Sequence, residues 1–387
     1  METLAALNGE VLTIAVDPAR GRVVACTSDC DAAVLEHGGP GEASSALVRS
    51  ALESMKASWS PDLHAAFSAG RLYLSFGSFE LKGGGHSALL AVDLDAGTTA
   101  EVHRDTDGFF TGRVSPPVGV DDRFVLIETF DGEASKLVAF ELPSHERRDV
   151  LRLEIEDAEF GLVRPVIAAM SLVPAARRLF LVTTDPDNCD GNRLLYVDLD
   201  ADCLPLGRPA TLVREKWEPY SPCIGGACAN PATGEAACLM YASEWEKFVP
   251  ITHLPEQGDA LPAADLHLAR PGVAPRRLDV LGYLGTNVAF YDREADAPNL
   301  PHRFRIRFDF AEAGAEVTPL IALGPDRYLV VLFRGTLQTI RTDTGEHRIV
   351  HHFDWPITAL AAGAGPGEAL VGLADGSLYS VAVPDEA

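Results

Sequence analysis

The chain has 387 residues, 47% of them hydrophobic and 23% charged, the composition of a globular protein and not of a disordered one. Thirty-two Lys and Arg stand against 56 Asp and Glu, a formal net charge of −24. A surface of that sign repels nucleic-acid phosphates and anionic membranes, excludes both as partners, and points to a basic protein instead.

At the N-terminus, Met1 to Glu10 has neither the basic start nor the apolar run of an export signal. No apolar stretch approaches the roughly 20 residues of a membrane helix. The chain therefore reads as cytoplasmic, and its wealth of Ala, Arg and Gly suits a bacterial source. Residues 11–29 hold two apolar runs around the turn Pro18-Ala-Arg-Gly-Arg22, and they leave through Thr27-Ser-Asp29. An amphipathic helix follows near 44–57, with Leu47, Val48, Leu52 and Met55 on one face. The hairpin plan returns near Leu63 and Val114, and again over 167–185, with the turn Pro174-Ala-Ala-Arg-Arg178 and the exit Thr183-Thr-Asp185. Further copies begin near Gly226, Leu320 and Thr358. A third strand closed by an acidic turn follows several hairpins, as in 88–97, 194–200 and 337–345. A fourth follows some of these, as in 99–103 and 347–351.

The unit is thus four short strands, A to D, repeating at roughly 40 to 60 residues, the size of a propeller blade. Residues 273–315 hold strand-like runs without a clear hairpin. They are either an insertion in the fifth unit or an irregular eighth. The last unit reaches only a third strand, so its outer strand is expected from the N-terminus, over 2–7. The expected architecture is one all-β domain spanning 1–387, a β-propeller of about seven four-stranded blades with eight possible. Pairing of its N- and C-terminal strands closes the ring.

The segment 368–383, with strands on either side of Asp375-Gly376, resembles the repeat core of WD-repeat, YVTN and quinoprotein-type propellers. The likeness covers the repeat plan of most of the chain. It lacks the Gly-His and Trp-Asp signature of the first group and the tryptophan docking motif of the last. It implies an architecture and no particular activity.

Antiparallel A-to-D strands send the B–C and D–A connections to one face. By that rule the acidic loops around Asp29, Asp131, Asp185, Asp187, Glu244 and Glu246 share a face with all four tryptophans: Trp59, Trp217, Trp245 and Trp355. Loops on a rigid scaffold carry function, and Trp is enriched at interface hot spots. The expected function is a non-enzymatic protein-interaction scaffold taking a basic partner on that acidic face. For Trp59, Trp217 and Trp355, each next to a Pro or one residue from it, the competing reading is a plug between blades. Trp245 stands between two acids.

No catalytic residue is assigned. The run from Asp185 to Asn192 suggests a divalent cation such as calcium, with Asp185, Asp187 and Asp190 as ligands. Its spacing fails the EF-hand rule, and a turn capped by its own side chains is the better reading, so no cofactor is expected. The alternative function is a metal-dependent propeller hydrolase, of the lactonase or phosphoesterase type, with its site over the central channel. The seven cysteines make no Cys-x-x-Cys pair and read as buried, reduced thiols.

Overall fold

The computed structural model describes residues 1–36, 39–55, 62–80, 84–108, 117–130, 133–157, 161–184, 193–214, 222–242, 246–250, 260–283, 290–292, 303–307, 320–332, 335–365 and 367–384. Strand β1 (Glu2–Ala6) comes first. Blade I follows as β2 (Val11–Asp17), β3 (Arg22–Thr27), β4 (Ala32–Glu36) and β5 (Gly39–Pro40), and helix α1 (Glu42–Met55) after it. Blade II is β6 (Asp62–Ser68), β7 (Arg71–Glu80), β8 (Gly84–Asp93) and β9 (Thr98–Gly108). Blade III is β10 (Val118–Val120), β11 (Phe124–Phe130), β12 (Ser135–Glu141) and β13 (Glu146–Arg152). A separate hairpin, β14 (Ile155–Asp157) and β15 (Gly161–Val163), leads to blade IV. That blade is β16 (Val166–Val173), β17 (Arg178–Thr184), β18 (Arg193–Asp198) and β19 (Ala210–Arg214).

Blade V contains β20 (Pro222–Asn230) and β21 (Glu235–Ala242). After the inserted β22 (Glu246–Pro250) it is completed by β23 (Ala260–Arg270) and β24 (Val273–Tyr283). Strands β25 (Phe290–Asp292) and β26 (Arg303–Arg307) join β22 in a three-stranded sheet outside the blades. Blade VI is β27 (Leu320–Gly324), β28 (Arg327–Leu332), β29 (Thr336–Arg341) and β30 (His347–His352). Blade VII is β31 (Ile357–Ala362), β32 (Glu368–Leu373) and β33 (Ser377–Ala382), with β1 as its outer strand, antiparallel to β33. The protein is a seven-bladed β-propeller. Residues 273–283, part of the stretch that looks irregular in the sequence, are the outer strand of blade V. The remaining strands of that stretch add a small sheet and not an eighth blade.

Each blade is buried on both faces, and this explains why its second strand is an unbroken apolar run instead of an alternating one. Val23 to Cys26, Phe124 to Ile127 and Tyr328 to Leu332 are all of this kind, and Leu72 to Phe76 is broken only by the buried Ser75. The outer strands are mixed, as in the largely exposed β13. Seven apolar clusters occupy the seven seams. In blades III and IV, for example, Phe124, Leu126 and Leu137 meet Met170, Leu179, Leu181 and Leu195. Helix α1 replaces most of the outer strand of blade I and presses Val48, Ala51, Leu52 and Met55 into the seam with blade II. The upper backbone of β4 finds its partners there, since Val34 N donates to Ser45 Oγ and Gly41 N donates to Val34 O.

Polar links reinforce the seams near the axis. Ala65 N donates to Thr13 Oγ1 at 3.1 Å, Ala229 N to Ser171 Oγ at 2.7 Å, and Thr358 Oγ1 to Val11 O at 2.7 Å. In the seam between blades V and VI, the buried Asn230 Nδ2 donates to Gly324 O and to Tyr328 Oη, both at 2.9 Å. A bulge displaces the first residues of the inner strand in blades I, IV, V and VII, so the units share this irregularity as well as their ladder.

Two predictions follow from the seams. Gly376 has φ +86°, and a Cβ there would lie 2.1 Å from Leu7 O, the chain that enters the ring from β1. Gly376→Ala is expected to lose about 2 kcal/mol or more in urea unfolding, with the transition remaining single. In the seam of blades II and III, His145 Nε2 lies 3.3 Å from Tyr73 Oη. Burial, helped by Arg71, holds the His145 imidazole below its ordinary value, and burial does the same to His267 and His347. The folded state therefore refuses protons that the unfolded chain accepts. This contribution is complete above the unfolded value of about 6.5 and is lost as pH falls below it. Melting temperatures measured from pH 8 down to 5 should fall, and less steeply in His145→Gln.

Candidate binding face

The lower face, made of A–B and C–D turns, is stitched by arginines. A residue at or just before the start of the second strand meets an acid at the end of the third. Arg71 pairs with Asp93 at 3.2 Å and Arg178 with Asp198 at 2.7 Å, while Arg148 pairs with Glu141. Others cross seams: Arg20 and Arg22 reach Asp95, Arg123 reaches Asp202 at 3.7 Å, and Arg177 reaches Asp121. The positive charge of this face is consequently neutralised in place.

The upper face, made of B–C and D–A connections, differs across blades VI, VII and I. After β30 the chain crosses to blade VII through Phe353-Asp354-Trp355-Pro356. Phe353 N donates to Gly335 O at 2.8 Å, and Ala374 N donates to Pro356 O at 3.0 Å, so both ends are tied. The Phe353 ring packs between His351 and Tyr379, with centroids at 4.6 and 5.6 Å. Trp355 is 54% exposed, which removes the reading of this residue as a plug between blades.

The next loop is the Asp375-Gly376 turn, where Asp375 Oδ1 accepts from Ser377 N and Gly376 O accepts from Leu7 N, both at 3.0 Å. From there Asn8 N and Nδ2 donate to Asp31 Oδ2 at 3.0 and 3.2 Å, and Thr27 Oγ1 donates to Asn8 O at 2.6 Å. Burial pushes the Asp31 carboxyl up, but the amides of Asn8 and Ala32 and the Arg49 guanidinium outweigh it and hold the group below its ordinary value. Four connections are thereby bonded into one arc. Along it Asp29, Asp354 and Asp375 are exposed and, among the described residues, stand in no ion pair. On blades III and IV the upper face is balanced instead, because Arg152 and Arg164 both pair with Glu133 and Glu154.

Of the residues singled out from the sequence, the structure thus places Trp355 on an acidic, hydrogen-bonded arc. Glu246 opens β22 opposite Arg307 and is not a loop residue. Trp59, Trp217, Trp245, Glu244, Asp131, Asp185, Asp187 and Asp190 lie outside the described residues. Among the described residues no three His, Cys, Asp or Glu stand together as a metal site. The inner strands, which line the channel, are made mostly of Ala, Gly and aliphatic residues.

Of the four buried charged residues among those described, Asp17, Glu128, Arg193 and Asp265, two share one seam and were missed by sequence reasoning. Glu128 accepts from Ile167 N at 3.2 Å and from Ser135 Oγ, and Arg193 is among the largest fully buried side chains. Strand alternation puts Glu128 with Phe124 and Leu126, and Arg193 with Leu195 and Val197. Both therefore face the seam of blades III and IV. Their signal was a charge inside an otherwise apolar strand.

No protein-family model matches the chain, and no curated protein matches it.

Cys26, Cys30, Cys203 and Cys238 are buried free thiols, and Cys228 is half-buried. Burial pushes Cys26, Cys203 and Cys228 up to about 12. A thiol held protonated and covered is a poor nucleophile. Maleimide at neutral pH should leave the buried Cys26 and Cys203 unlabelled in the native protein and label them in urea, as read by peptide mass mapping.

Proposed function

We propose that the protein is a non-enzymatic interaction module that takes a basic protein partner on its upper face. The observation that carries this reading is Trp355, an exposed indole on a segment tied at both ends by backbone hydrogen bonds. Holding a large aromatic group out into water has no benefit for the fold, whereas a pre-ordered one gives a partner contact area at little entropic cost. The exposed carboxylates of Asp354, Asp375 and Asp29 on the same arc supply the sign of the partner. In the same reading Trp59, Trp217 and Trp245, with Glu244, Asp131, Asp185 and Asp187, extend the surface around the ring, since the sequence puts them in connections to the same face. A binding module of this kind uses no cofactor.

The test is capture of partners from native lysate by the wild type, by Trp355→Ala and by the double reversal Asp354→Lys/Asp375→Lys. Circular dichroism serves as the check on folding. Loss of Trp355 should weaken the captured complex roughly tenfold or more, and raised salt should release the partner from the wild type. Equal capture by all three proteins would sink the proposal.

A further inference from the structure

A second surface, unrelated to the acidic arc, lies at the periphery of blades III and IV. Six large apolar side chains are exposed among the described residues, and three of them lie here: Leu162 at 55%, Leu204 at 42% and Leu206 at 69%. Leu204 and Leu206 belong to the third-to-fourth-strand loop of blade IV, which is rigidly built. Leu204 N donates to Asp200 Oδ1 at 2.9 Å, Asp200 N to Leu204 O at 2.8 Å, and Leu206 N to Asp198 O at 2.8 Å. Arg177 grips Asp200 O, and Arg123 Nη1 donates to Ala201 O at 3.2 Å. The two leucines are therefore presented to solvent by a fixed frame.

Leu162 lies on the β14–β15 hairpin, which belongs to no blade. In the hairpin register Glu156 is opposite Leu162, so the two share one side. Arg208, two residues beyond Leu206, reaches Glu156 at 3.9 Å. That contact joins the exposed residues of the hairpin, Leu162 and Glu156, to those of the loop, Arg208, Leu206 and Leu204, and these two bridged segments make up the strip.

We propose that this strip is where two copies of the chain meet about a two-fold axis. The choice of occupant rests on the charge pattern. A two-fold interface brings a surface against itself, so each charge must find its opposite on the same patch. The strip carries one cation and one anion, and their side chains are 88% and 82% exposed. Rotation of the strip onto itself sets Arg208 of one copy against Glu156 of the other, with leucine on leucine. Their contact within one chain is loose and exposed, so exchanging it between copies costs little. The net charge of −24 opposes self-association at long range, and salt screens that repulsion. The dimer is therefore weak and tightens with salt, the opposite of binding at the acidic arc.

Sedimentation equilibrium of the full chain, over a wide concentration range at low and high salt, tests this. The expected result is a reversible monomer–dimer equilibrium that favours the dimer at high salt. Leu206→Glu should weaken it roughly tenfold or more. Arg208→Glu and Glu156→Arg should each weaken it, and the two together should restore it. All these positions are exposed, and matching circular dichroism spectra would show that the variants fold. A monomer under every condition would overturn the proposal, as would a dimer indifferent to Leu206→Glu. A monomeric chain that uses the strip for a different protein would overturn it too.

Discussion

No blade of this protein has a core of its own, and the rest of the structure depends on that fact. A four-stranded sheet with two apolar faces is stable only between two neighbours. Seven such sheets satisfy one another only when the last meets the first. Among the described residues the closing seam has the shortest set of buried apolar residues, Val11, Ala25, Ala359 and Leu378. Backbone bonding supplements it: β1 pairs with β33, Leu7 N donates to Gly376 O, and Thr358 bonds Val11 O. Residues from the two ends of the chain thus interlock in one place, and loss of that lock exposes apolar faces on both sides of the break.

Closure also decides what each part of a blade is allowed to be. Seven inner strands converge on the axis, which favours the small residues of β6, β16, β20 and β31. With little room and few polar side chains there, hydroxyls such as those of Thr13, Ser171 and Thr358 serve the neighbouring backbone. Chemistry and recognition are left to the connections. The two faces then divide by charge management: the lower binds its arginines to acids within and between blades, and the upper leaves carboxylates open along blades VI, VII and I.

The fold was legible because the repeat is written in turns and apolar runs, which depend on local spacing. Pro18-Ala-Arg-Gly-Arg22 and Pro174-Ala-Ala-Arg-Arg178 do occupy equivalent turns, between β2 and β3 and between β16 and β17. The closing strand was legible from a count, because the last unit lacked one member. What the sequence hid depends on contacts between distant residues. Glu128 beside Ser135 and Ile167 looks like an interruption of a strand until the next blade is in place. The three-stranded sheet of β22, β25 and β26 joins segments more than 40 residues apart, and no local pattern announces it. Trp355 was legible as a residue, but its exposure was not, since a Trp beside Pro356 fills a seam as readily as it leaves one.

Most described arginines of the lower face already touch a carboxylate. On the arc of blades VI, VII and I, Asp29, Asp354 and Asp375 are exposed and, among the described residues, stand in no ion pair. A field with one sign steers an oppositely charged partner and repels a like copy. Self-association therefore belongs where the charge is balanced and apolar groups are exposed, and blades III and IV meet both conditions through Glu156, Arg208 and the three leucines. The two surfaces lie on different parts of the ring and depend on different forces. The opposite responses to salt proposed for them follow from one charge distribution, so a single ionic-strength series tests both.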